Sequence, residues 1–164
     1  MIQHGANEVY DSQDEDIIEQ VNSCKYNNFT WLLDCVSDPG TLNQVYQCAP
    51  LNTEPVVFNY FGLNINHIRP EIKRSDNKVT IDGTVMYRGS GERACLGEDT
   101  YLDAQPEYGN TLSRFVDFIT PYIDNGELYH IPVKIYNKRF EPIIQLVADI
   151  QAGKNSGEKL VAIL

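Results

Sequence analysis

The sequence holds 164 residues, 42% of them hydrophobic, with 23 acidic against 13 basic side chains and a formal net charge of −10. That size and apolar content suit one globular core, and the acidic balance argues against nucleic acid or an anionic membrane as partner of the whole surface. No stretch approaches the roughly 20 apolar residues of a membrane span, and the first residues carry neither the positive region nor the apolar run of an export signal, so a cytoplasmic or, for a viral chain, virion location is expected.

The acid is concentrated at one end. Residues 1–24 hold Glu8, Asp11, Asp14, Glu15, Asp16 and Glu19 with no Lys or Arg, which supplies −6 of the −10. Residues 1–13 read as an acidic arm. Ser12-Gln13-Asp14-Glu15 fits a capping box and predicts a helix with Ile17, Ile18 and Val21 on its apolar face. A second helix is predicted over 29–37 around Trp31, Leu32 and Val36, stopped by Asp38-Pro39-Gly40, and a third from Thr41, with Leu42, Val45, Tyr46 and Ala49 on one side, until Pro50.

From Pro55 the texture changes. Val56 to Phe61 reads as a buried strand, Leu63, Ile65 and His67 alternate with asparagines, and Val79, Ile81, Val85 and Tyr87 share one face of a further strand. Asp76-Asn77 suggests a hairpin turn between the last two. Residues 89–109 are loop-rich. Leu112, Phe115, Val116, Ile119, Tyr122 and Ile123 predict a long helix that Pro121 should kink or divide near Asp117. Strands are predicted at 129–136, 140–150 and 160–164, with a last turn at 153–157. The sum is a single α+β domain over 1–164: a helical first third, then a mainly antiparallel sheet of about five to six strands with one long helix inserted between strands.

Chemical signatures are sparse. Cys-x-x-Cys, His-Glu-x-x-His and EF-hand spacings are absent from the sequence, so no metal and no cofactor is expected. Cys24, Cys35, Cys48 and Cys95 are irregularly spaced and read as reduced thiols. A nucleophilic Cys95 would need His67 or His130 brought beside it by the fold. Gly89-Ser90-Gly91 is a turn rather than a nucleophile elbow, and 153–159 has the wrong order for a phosphate loop. Glu92, Glu98, Asp99, Asp103 and Glu107 crowd one loop as a solvated cluster.

With no catalytic signature, the expected function is a non-enzymatic protein–protein interaction module. It is either a small acidic inhibitor or immunity-type protein or a structural subunit of a larger assembly such as a virion. Its partner would be another protein with a basic surface, steered by Glu8, Asp11, Asp14, Glu15, Asp16 and Glu19, or a second copy of the chain. The alternative rests on a ribbon of net charge +2 over 69–93. Arg69, Lys73, Arg74, Arg88 and Arg93 with Tyr87 would contact a single-stranded nucleic acid, and the element order from Pro55 resembles that of an OB-fold.

Overall fold

The computed structural model describes residues 5–95, 101–128, 131–137, 140–154 and 157–163. Two units divide the chain, Met1–Asn110 and Thr111–Leu164.

In the first unit α1 (Ile17–Ser23) precedes β1 (Trp31–Asp34), α2 (Pro39–Gln47), β2 (Val56–Asn59) and β3 (Thr80–Gly83). The three strands form a wholly parallel sheet in the order β1-β2-β3, with Asp34, Asn59 and Gly83 in register at their carboxyl ends. Helix α2 is the crossover that a parallel pair requires. Its start is well specified: the Asp38 carboxylate accepts from the backbone N–H groups of Gly40 and Thr41, the Thr41 hydroxyl closes a capping box, and Pro39 sits in the first turn. The helix buries Leu42 and Tyr46, which join Ala49, Val57, Ile68 and Val79 in the core, with Leu32 and Ile81 packed against them. Alternation along the strands puts Leu32, Val57 and Ile81 on this covered face and Trp31, Leu33 and Phe58 on the other.

At the far end of α2 the Arg74 guanidinium donates to the carbonyls of Ala49 (3.3 Å) and Pro50 (3.0 Å), its backbone N–H donates to the Tyr46 hydroxyl, and Asp76 holds the guanidinium in place. A short antiparallel pair, β4 (Ala94–Cys95) and β5 (Tyr101–Leu102), follows, and then α3 (Pro106–Asp124) begins. Gly109 in its first turn lies against Gly89, so that a Cβ on Gly109 would come within 2.5 Å of the Gly89 carbonyl oxygen.

The second unit repeats the parallel logic on a smaller scale. β6 (Val133–Asn137) and β7 (Lys159–Ile163) pair in parallel, and α4 (Glu141–Gln151) connects them. Asp149 is buried on α4 and accepts from Gln145, from the Tyr136 hydroxyl of β6 and from Lys154. These bonds, Gln145 first, hold its carboxyl below the usual aspartate value.

Several expectations are corrected. The sheets are small and mostly parallel, not one antiparallel sheet of five to six strands. The hairpin expected between 63–67 and 79–87 does not form: 65–67 is a 3₁₀ turn, and β3 pairs in parallel with β2 across a 20-residue crossover of 3₁₀ turns and loop. The run predicted as a helix over 29–37 contains β1, and Asp38-Pro39-Gly40 starts a helix instead of stopping one. The capping box at Ser12 does not form, and α1 starts five residues later with no side-chain cap. Residues 65–67 are a 3₁₀ turn because the Asn64 side chain accepts from Asn66 N–H and the His67 ring from Asn64 N–H. The strand predicted over 140–150 is α4, where Ile143, Ile144, Val147 and Ile150 recur at helical spacing after Pro142. Helix α3 continues through Pro121 to Asp124. Tyr129, His130 and Leu164 lie outside the described residues.

Leu42 is fully buried, so Leu42→Ala should cost about 2–5 kcal/mol in urea unfolding of the first unit. The second unit should respond to acid. Asp149 titrates lower when folded than when unfolded, so its contribution is complete above the ordinary value of 3.8 and disappears as pH falls below it. Asp149→Asn should flatten this acid limb when thermal midpoints are measured from pH 6 to pH 2.

Candidate functional site

Wholly parallel α/β sheets carry their ligands outside the carboxyl ends of their strands, where connecting loops converge. In the first unit this crest is made of the loops after β1, β2 and β3, and buried polar side chains fasten it.

Asp34 ends β1 and is 3% exposed. Its Oδ1 accepts from the backbone N–H groups of Val36 (3.1 Å) and Ser37 (2.8 Å), and its Oδ2 from the Thr41 hydroxyl (2.9 Å). The turn this imposes places Ser37 at a φ of 63°, in the left-handed region. The Ser37 hydroxyl donates to the Asp34 carbonyl and accepts from Tyr60 N–H at 2.8 Å, which ties the first loop to the second.

Asn59 ends β2 with no exposed surface. Its amide nitrogen donates to the carbonyls of Leu63 (2.9 Å) and Asp82 (3.0 Å), and its Oδ1 accepts from the N–H groups of Phe61 (3.2 Å) and Leu63 (2.8 Å). Both donors and both acceptor sites are used. Beside it Gly83 ends β3, and a Cβ there would meet the Asn59 carbonyl oxygen at 2.7 Å and its side-chain amide at 2.8 Å. Thr84 N–H then donates to the Asn59 carbonyl at 3.1 Å.

This scaffold presents apolar side chains to solvent: Val36 is 68% exposed, Phe61 65% and Met86 71%, with Tyr60 and Tyr87 about half exposed. The Thr84 hydroxyl is shielded from solvent and has no hydrogen-bond partner among the described residues. The crest therefore carries exposed apolar side chains and keeps the Thr84 hydroxyl beneath the surface. It offers no anion site, because the Asp38 carboxylate already occupies the first N–H groups of α2. Gly89-Ser90-Gly91-Glu92-Arg93-Ala94 has glycine spacing of the kind found in dinucleotide-binding loops, but it leaves a 3₁₀ turn and enters β4, with no helix to receive a phosphate.

The residues expected as sites are dispersed. Tyr10 donates to the Glu8 carboxylate, and that bond, above all, pushes its hydroxyl pKa up to about 12. Asp11 accepts from Gln13 N–H, while Asp14 and Asp16 receive the Gln20 amide; with Glu15 and Glu19 all are on the surface. In the basic ribbon, Arg74 is committed to the end of α2. Arg69 pairs with Glu71 at 3.6 Å, Arg88 donates to the Asp103 carbonyl, and Arg93 faces the Asp103 carboxylate and the Tyr101 ring. Lys73 and Tyr87 are both exposed. His67 is engaged in its own turn, and His130, Glu98 and Asp99 lie outside the described residues. Among the described residues no group of three or more His, Cys, Asp or Glu side chains could hold a metal. None of their helices is long and apolar enough to cross a membrane. Sequence reasoning missed Asp34, Asn59, Gly83 and Thr84. Their signal was a polar residue or glycine closing each of three short apolar runs.

A small parallel α/β sheet with an apolar crest is the class of structure this defines. No family model matches the chain. Over 162 residues it is 43% identical to the uncharacterized protein YNL134C of Saccharomyces cerevisiae, a match that takes in 99% of this chain and 42% of that protein. It is 25% identical to the dehydrogenase mokE of Monascus pilosus, over 96% of this chain and 42% of that protein. It is 24% identical to lovC, the enoyl reductase component of the lovastatin nonaketide synthase of Aspergillus terreus, over 96% and 41%. The chain thus spans about two fifths of the length of the curated relatives it matches. Relatives named for dehydrogenase and reductase chemistry give no support to the expected inhibitor or structural-subunit roles. They do not bear on protein-binding or single-strand nucleic-acid roles.

The scaffold is tested by Gly83→Ala and Asn59→Ala. Each should lower stability by about 1–3 kcal/mol, the first by overpacking and the second by orphaning buried backbone groups. Hydrogen exchange should rise in residues 59–63 before it rises in α2.

Proposed function

We propose that this chain supplies the nicotinamide-side part of a dinucleotide-dependent oxidoreductase of the dehydrogenase or enoyl-reductase kind. The observation that supports the reading is the crest itself: three loops at the carboxyl ends of parallel strands, locked together by Asp34, Ser37 and Asn59 and topped by apolar side chains. The names of the more distant relatives support the reaction class.

The residues present fit one end of such a cofactor. Val36, Phe61 and Met86 give the apolar contact that a ring face needs, and the Thr84 hydroxyl, shielded from solvent and without a hydrogen-bond partner among the described residues, would pair with a carboxamide once its side chain turns toward the ligand. They do not fit the pyrophosphate end, since the described residues contain no glycine-rich strand-to-helix turn. When bound, a reduced nicotinamide supplies a hydride. The chain's own contribution would be to fix the ring plane and exclude water from it, on loops whose backbone is already ordered before the ligand arrives.

Reduced nicotinamide mononucleotide is the probe that isolates this end. In methyl NMR spectra it should shift Val36, Thr84 and Met86, while adenosine monophosphate should leave them unmoved. Thr84→Val should weaken the interaction about 5- to 10-fold, in line with one lost hydrogen bond. Shifts confined to another part of the chain, or unchanged affinity in Thr84→Val, would sink the reading.

A further inference from the structure

The sheet β1-β2-β3 is finished on one face only. Helix α2 covers the Leu32, Val57 and Ile81 side, whereas on the other side Trp31 is 69% exposed and Leu33 54%. With Leu32, Phe58 and Tyr60 these two line an open apolar hollow of about 360 Å³. Parallel sheets occur almost only with both faces buried, because their strands are apolar on both. The edge is open as well. Among the described residues β1 has β2 as its one strand partner, so its outward backbone groups face away from the sheet.

Chain order says what belongs there. The strands lie in sequence order with the earliest at the edge, which is one half of a doubly wound sheet. In that architecture the other half joins beside the first strand of this one. The yeast relative has more than half of its length outside the matched region, ample for such a half. We infer that the outer edge of β1 and the Trp31–Leu33–Phe58 face seat a second α/β segment, one equivalent to the unmatched part of that relative. This segment adds a parallel strand at β1 and a helix over Trp31. A second copy of this chain is the competing occupant, but two-fold symmetry would set β1 antiparallel to its mate, against the run of the sheet. The inference goes beyond the proposed function and does not need it, since nothing in it depends on what the crest binds.

Hydrogen exchange read by mass spectrometry tests it on two folded proteins, this chain and the full-length yeast relative. The strand at residues 31–34 should exchange at least tenfold more slowly in the yeast protein's equivalent segment than in this chain. A chimera carrying this chain in place of the matched region should also slow hydroxyl-radical oxidation of Trp31 about fivefold and leave Tyr26 unchanged. Equal exchange in the two proteins, or a Trp31 equally reactive in the chimera, would overturn the inference. So would light scattering that showed this chain alone to be a dimer with Trp31 protected. Trp31→Glu should leave this chain folded with the same thermal midpoint; a large drop would mean that the face is already covered, and would overturn it too.

Discussion

The buried amide of Asn59 is the constraint from which the crest follows. A polar side chain with no exposed surface is costly unless every donor and acceptor is used. Asn59 uses all of them, on Phe61, Leu63 and Asp82. In doing so it curls the loop after β2 and sets the spacing to β3, which leaves no room for a side chain at residue 83. Asp34 does the same for the loop after β1, and the Ser37 hydroxyl joins the two. Three loops that would each be mobile alone are thereby held as one surface.

The second unit shows the same economy. One carboxylate, Asp149, draws a strand tyrosine, a helix amide and a loop lysine to one point. A two-stranded parallel pair has little core of its own, so this polar staple weighs more there than an equivalent one would in the first unit. The apolar stripe of α3 is exposed at Leu112, Phe115 and Phe118, in keeping with a fold that leaves much apolar surface uncovered by its own chain.

Much of the local structure was legible in the residues. Val56 to Asn59, the helix from Thr41 onward and the long helix stopped by Asn125-Gly126 carry the expected pattern, and the last strand falls where it was expected. The parallel topology was not legible. Parallel pairing leaves no turn signature, because its evidence is the crossover between strands rather than the strands themselves. Trp31-Leu32-Leu33 is too short for its period to separate helix from strand, and only its four-residue length argued for the strand. Residues 140–150 were misread by propensity: Ile143, Ile144, Val147 and Ile150 favour strands individually, yet their spacing is helical and Pro142 marks a first turn. The crest was missed for a related reason. Asp34, Asn59 and Gly83 look like ordinary turn formers until three strands are laid side by side, whereas the acidic arm is conspicuous in sequence and makes only local contacts.

The meeting of Gly89 and Gly109 restricts how this chain can vary. A side chain at 109 would collide with backbone at 2.5 Å, whereas one at 89 would stand 3.2 Å from the Gly109 nitrogen and need only a small adjustment. Neither glycine has anything left to trim, so no second change at one can rescue a bulkier residue at the other. Drift at this crossing is one-sided: alanine at 89 is the accessible step, and 109 stays fixed for as long as the loop after β3 remains seated on the start of α3.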